Sequence, residues 1–423
     1  MRTIILILFL LNNTFAYSQI WLPLNSPTTN NLIACSFVNE NTGWIISEAE
    51  IFKTTDGGTS WNMQLYPPAP QYTTRKFTSV DFINENNGVI ACKNVFSSGY
   101  NSDSVSTLLI TKNGGDTWDF KFFGDTINTS ISDTKMENDS TIYLINTANA
   151  SIIKIINNNY SIIRSGYSGV TGVKLFILNH NTLYALYWEP LIETVPALLV
   201  TSDGGNTWDF YQWDFVSDNF YSMYIIDNNK FRFGCGFSGI YCTDDLLNTH
   251  YWANISSEGN GHISGLYFTD ENNGWALSNN FYSAPQRGKI IYSTNSGVDW
   301  SLNYSDTIPL NAIYFTKPNN IGYAVGNNGL ILRYSPVGIN ENNYSRNIQV
   351  YPNSNKGIFT ICLSDNSEKT NSIEIYNTLG NKIYQTNFET NTKLINISQY
   401  PKGIYIVKAY SGNNVFVEKV VYQ

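Results

Sequence analysis

The sequence predicts an all-β chain, a β-propeller of about seven blades followed by a small C-terminal β-sandwich. Three observations carry this expectation. An eight-residue segment recurs four times, a strand–turn–strand motif recurs in register with it, and the composition is rich in aromatic residues and poor in charge.

The eight-residue segment reads TTDGGTSW at 54–61, TKNGGDTW at 111–118, TSDGGNTW at 201–208 and STNSGVDW at 293–300. Asp56, Asn113, Asp203 and Asn295 can turn a side-chain oxygen onto main-chain N–H groups, and Gly58, Gly115, Gly205 and Gly297 can take the positive φ of a tight bend. Apolar runs precede each copy. Trp61, Trp118, Trp208 and Trp300 follow, where a large ring can cover the space between neighbouring sheets. Each copy therefore reads as the turn between the third and fourth strands of a blade. The second motif is an apolar strand, a turn rich in Asn, Asp and Glu, then glycine and another strand: SFVNENTGWII, DFINENNGVIA, YFTDENNGWAL and YFTKPNNIGYAV.

Together the two place blade starts near Leu32, Phe77, Ile131, Val170, Phe220, Ile263 and Ala312. The third segment lacks the eight-residue turn and has Asn157, Asn158 and Asn159 instead. The fifth carries a decayed copy, Cys242-Thr243-Asp244-Asp245, with Trp252 arriving late. The last blade supplies three strands only. Residues 20–24, IWLPL, resemble the strand that follows the first turn, so they are expected to complete that sheet and close the ring.

Four domains are expected: a signal peptide at 1–18, the propeller at 19–336, a polar linker at 337–348 and the terminal sandwich at 349–423. Residues 4–11 form an apolar run behind one basic residue, too short for the roughly 20 residues of a bilayer span, and small residues follow. No segment of the mature chain reads as transmembrane. A net charge of −8 without a basic stripe argues against nucleic acid as a partner. Cys35, Cys92, Cys235, Cys242 and Cys362 have no metal-like spacing, and no metal or other cofactor is expected. Buried free thiols are the main reading, with a bridge between Cys235 and Cys242 left open.

These turns resemble the Asp-box, or bacterial neuraminidase repeat. With the second motif they resemble more closely the photosystem II assembly and stability factor-like family, which implies a propeller engaged in protein assembly or binding. A sialidase would need three clustered arginines, but the propeller has only Arg75, Arg164, Arg232, Arg287 and Arg333, without the Arg-Ile-Pro signature. The final 75 residues resemble the C-terminal sorting domain of the type IX secretion system through Tyr351, Pro352, Asn353, Gly357, Tyr376, Gly380, Gly403, Tyr405 and Lys419. Ser354 departs from the pattern, where the family often has proline. The resemblance implies the type IX machinery as a partner, and a protein secreted or held at the outer surface of a Gram-negative bacterium after passing the periplasm.

A ligand is expected on the face away from the eight-residue turns, where loops mix aromatic, amide and charged groups. The candidates are Tyr72, Arg75, Tyr100, Trp188, Glu189, Trp213, Asp214, Tyr282 and Arg287. Non-catalytic binding of an extracellular glycan or protein is the favoured function, and no catalytic residue is assigned. The alternative is a glycoside hydrolase, which would pair two of Glu189, Glu193, Asp214, Asp218 and Glu258 across the mouth.

Overall fold

A computed structural model describes residues 21–423 apart from 69–72, 97–103, 123–130, 158, 167–169, 190–194, 213–217, 238, 246–247, 258, 281–285, 336–347, 354, 364–370, 378–380, 389, 391 and 412–413. The chain divides into two compact units, Met1–Gly338 and Ile339–Gln423.

In the first unit the described residues form seven sheets, the first five of them four-stranded antiparallel meanders of sequence neighbours and the sixth and seventh meanders that each gain one further strand. Their innermost strands are Leu32–Phe37, Thr73–Phe82, Ile131–Asn138, Thr171–Ile177, Phe220–Ile225, His262–Phe268 and Leu310–Phe315. Each innermost strand packs against the next, and the last packs against the first, so the sheets close into a ring around a central channel. The second strands, such as Gly43–Ser47 and Thr141–Asn146, are buried along their whole length because sheets cover both faces. That is why they read as apolar runs instead of alternating ones. The outer strands, such as Asp209–Gln212 and Asn159–Arg164, are largely exposed.

Closure is completed by Trp21–Pro23, which pairs antiparallel with Ile331–Tyr334 and sets Trp21 opposite Tyr334. Trp21 is 2% exposed, in a cluster with Trp275, Phe315 and Tyr334. The sixth sheet gains a fifth strand, Asn254–Ile255, which lies parallel to Asp299–Asp306 and covers part of its outer edge.

Adjacent innermost strands belong to different sheets, and side chains stitch them together. Thr78 Oγ1 donates to Ile131 O at 2.8 Å, Ser264 Oγ to Leu310 O at 3.2 Å, and Asn311 Nδ2 to Leu32 O at 2.8 Å. The Phe of the second motif wedges between sheets. Phe37 stacks on Tyr323 of the preceding sheet with centroids 3.6 Å apart, and Phe82 stacks on Trp44 at 3.5 Å. Their other faces lie over Gly43 and Gly88, where a Cβ would fall 2.1 and 2.2 Å from ring carbons. This contact explains the invariant spacing from Phe to Gly in these two copies.

The second unit is a β-sandwich. A three-stranded sheet (Ile348–Tyr351, Ile358–Leu363, Thr392–Asn396) faces a four-stranded one (Lys382–Phe388, Asn371–Asn377, Gly403–Ser411, Asn414–Tyr422). Phe359, Ile361, Ile373, Ile375, Val407 and Val420 are among the residues that fill the space between them. All five cysteines of the chain are free thiols. Cys242 pairs with Arg232 across its hairpin, so Cys235 and Cys242 do not lie opposite each other.

Candidate functional site

The eight-residue turns form a repeated hydrogen-bond cage. In the copy at 201–208, Thr201 Oγ1 donates to Asp203 Oδ1 at 2.8 Å and accepts the Gly205 N–H at 2.9 Å. Asp203 then accepts from the Thr207 amide at 2.9 Å and hydroxyl at 2.6 Å. Gly205 has φ +96°, which a side chain would strain. Asp56, Asn113 and Asn295 repeat the arrangement. The Thr207 hydroxyl and amide, with Thr201, hold Asp203 down to about 2.

The fifth copy is more intact than the sequence suggested. Asp245 accepts from the Thr249 amide at 2.8 Å and hydroxyl at 2.6 Å, and Thr243 Oγ1 donates to Asp245 at 3.2 Å. Leu246 and Leu247 stand where glycines stand elsewhere, and the position of the Trp is taken by His250, which stacks on Tyr241 at 5.1 Å. Without the glycines and the Trp it reads as decayed, yet its hydrogen bonds need neither.

Each cage is also tied to its surroundings. The first turn glycine donates to the Asn-rich turn of its own sheet, as Gly57 does to Asn41 O and Gly114 to Asn86 O, so both turns share one face of the disc. The preceding sheet donates to a carbonyl of the cage: Trp44 Nε1 to Gly114 O at 3.2 Å, Tyr323 OH to Gly57 O at 3.2 Å, and Arg232 Nε to Ser296 O at 2.7 Å. Trp61, Trp118 and Trp300 close edge-on against Phe37, Phe82 and Phe268 of their own sheets. They back the interdigitated Phe, which itself fills the space between sheets. This face is consumed by structure.

On the opposite edge Arg75 is 6% exposed. It donates to Pro67 O at 2.6 Å, Pro68 O at 3.2 Å and Asn94 Oδ1 at 3.3 Å, with Phe120 under the guanidinium at 5.0 Å. Arg75 therefore braces the loop entering the second sheet. Trp188 is half-buried opposite Pro196, and Glu189 pairs with Val195 at the mouth of the same hairpin. Arg287 is exposed where the third strand of the sixth sheet begins. Tyr72, Tyr100, Trp213, Asp214 and Tyr282 lie outside the described residues, as do Glu193 and Glu258. Asp218 is buried and accepts from the Gly236 and Phe237 amides at 3.1 and 2.8 Å, so both of its oxygens serve the fold. Among the described residues no group of three His, Cys, Asp or Glu could hold a metal.

Sequence reading missed the channel, a cavity of about 580 Å³ lined by the seven innermost strands. Asp81 and Lys135 form an ion pair at 3.4 Å, and Asp133 and Lys174 approach to 3.9 Å. Burial pushes Asp81 up, opposed by Lys135 and the Met136 amide. Burial would lower Lys135, but Asp81 and Asp133 hold it above the ordinary lysine range. The signal was present, since charged residues alternate within Ile131–Asn138, a strand that would otherwise face only neighbours.

Comparison with known proteins places this architecture. Residues 13–119 match the family model described as photosynthesis system II assembly factor YCF48, and residues 349–423 match the secretion system C-terminal sorting domain. Two solved structures share the fold at TM-score 0.56 and 17% identity. YCF48 bound to D1 peptide covers 75% of this chain and 97% of its own length. YCF48 from Cyanidioschyzon merolae covers 75% and 99%. No curated protein matches the chain. The chain joins a YCF48-like propeller to a secretion-sorting tail.

The sorting tail indicates secretion through the type IX system to the cell surface or beyond. No helix among the described residues is long and apolar enough to cross a membrane. Within the tail, Asn353 joins the opening motif to the last strand: its Nδ2 donates to Lys419 O at 2.6 Å and its Oδ1 accepts the Val421 amide at 3.0 Å. Gly357 donates to Asn355 Oδ1 at 2.7 Å, Tyr405 is buried and donates to Pro401 O, and Gly403 opens its strand. Pro352 and the Lys419 side chain are exposed, and Gly380 lies outside the described residues.

Proposed function

We propose that the exported YCF48-like propeller is a non-catalytic recognition module that binds a protein segment on the edge opposite the cage turns. The observation that carries this is the shape of that edge. The second and third strands run seven to nine residues in the second, fourth and sixth sheets (Gly88–Phe96 with Ser104–Thr111, Leu183–Glu189 with Val195–Thr201, Gly274–Asn280 with Arg287–Ser293). Their neighbours are shorter, as in Gly43–Ser47 with Ile51–Thr54 and Phe231–Cys235 with Ile240–Thr243. Raised hairpins thus alternate with low ones from the first sheet to the seventh along one rim, which suits an extended partner. Trp188 and Arg287 stand on two of the raised hairpins and offer ring and guanidinium contacts. A propeller of the same fold has been solved as YCF48 bound to D1 peptide, which supports a peptide in preference to a glycan.

The test presents the mature protein to a displayed peptide library and to a glycan array, with product analysis on every hit. Peptide capture weakened at least tenfold by Trp188→Ala or Arg287→Ala is the expected result. Glycan binding with turnover would replace this reading with a glycoside hydrolase, and unaltered capture by both variants would move the site elsewhere.

A further inference from the structure

The channel plays no part in the rim reading, yet it has the makings of a second site. On one side Phe176, Tyr224, Tyr267 and Tyr314 form a continuous aromatic arc, with successive centroids 5.2, 5.4 and 5.6 Å apart. Tyr224 and Tyr267 donate their hydroxyls to Phe268 O and Phe315 O, each at 2.8 Å, which fixes the rings as a wall.

The charged groups are arranged unequally. The aspartates spend their oxygens on the fold: Asp81 accepts the Met136 amide at 2.7 Å, while Asp133 accepts the Leu175 amide at 3.1 Å and the Ser79 hydroxyl at 3.0 Å. Each lysine meets one carboxylate oxygen, Lys135 at 3.4 Å and Lys174 at 3.9 Å, although an ammonium has three donors. Their side chains are 35% and 42% exposed to the channel. Lys317 also lines the cavity, which among the described residues makes three lysines against two aspartates. A surplus of unspent donors and positive charge faces a rigid aromatic wall, inside a volume within the 300–1,000 Å³ usual for small ligands.

We propose that the channel binds a small organic carboxylate with a ring-shaped body, its carboxylate held by Lys135 and Lys174 and its ring laid on the aromatic arc. A cation would meet the excess of lysine, and a neutral molecule would leave the ammonium donors unmatched. The ring could be aromatic or that of a sugar acid, and the experiment separates the two.

Calorimetric titration of the mature protein with phenylacetate and with glucuronate is compared with phenylacetamide and glucose as neutral counterparts. One acid binds one-to-one with Kd below about 1 mM, its neutral counterpart at least tenfold more weakly. Lys174→Met, which removes a loosely paired and part-exposed side chain, lowers that affinity at least tenfold without moving Tm. The acid preferred identifies the ring. The proposal falls if neither acid binds at about 10 mM, if a neutral counterpart binds equally well, or if Lys174→Met leaves affinity unchanged. Lys135→Met is a second variant, read only if its Tm shows that it folds.

Discussion

Thr201 is 1% exposed, and its single hydroxyl serves both Asp203 and the Gly205 amide. Thr201→Val keeps the shape but strands a buried N–H, so it should cost about 1–3 kcal/mol in denaturant unfolding. Asp203 gives a pH signature. Its pKa is about 2 when folded and near 3.9 when unfolded, so the carboxylate's contribution is complete above about pH 4 and is lost as pH falls toward 2. Asp203→Asn should match the parent at pH 7, since Asn113 and Asn295 build the same cage, and should flatten the fall in Tm between pH 5 and 2. Asp203→Ala should lower Tm and leave ligand affinity unchanged.

Between elements, the controlling contacts are aromatic rings held against bare backbone. Gly43→Ala drives a methyl group into Phe37, which is already stacked on Tyr323, and should cost about 1–3 kcal/mol through overpacking. The cage carbonyls that receive Trp44, Tyr323 and Arg232 make each turn a fastener to the sheet before it. Arg232 is 0% exposed, and its guanidinium also donates to Thr243 O and to Asp244 at 2.7 Å. A buried arginine so fully engaged serves the fold, and Arg232→Met should lower Tm without altering ligand capture, as thermal melts of the variant would show.

At the scale of the whole molecule, the ring closes through a three-residue strand. Trp21→Ala removes a ring from the Trp275, Phe315 and Tyr334 cluster and should cost about 3–5 kcal/mol. Deleting residues 20–24 should lower the melting temperature of the whole propeller, because it exposes the edge of Ile331–Tyr334. An unchanged melt would argue against closure by this strand. The tail is a separate unit with its own core. A reporter carrying residues 1–18, the segment expected to act as a signal peptide, and residues 348–423 should therefore reach the cell surface or medium, and retention in the periplasm would count against sorting by this tail.

Local patterns determined what local chemistry controls. The cage turns, the Asn-rich turns and the strand alternation each depend on residues within a few positions of one another, so they were legible in sequence; the sorting motif was legible by its resemblance, although Asn353 meets Lys419 and Val421 only in the fold. The fifth cage was half hidden, because its hydrogen bonds need Thr243, Asp245 and Thr249 but neither glycine nor tryptophan. For Arg75 the sequence offers only the residue type, and packing alone places Pro67, Pro68 and Asn94 around its guanidinium. The channel emerged only on closure. Lys135, Lys174 and the aromatic arc come from five different sheets, and no spacing along the chain records that a ring brings them within reach of one ligand.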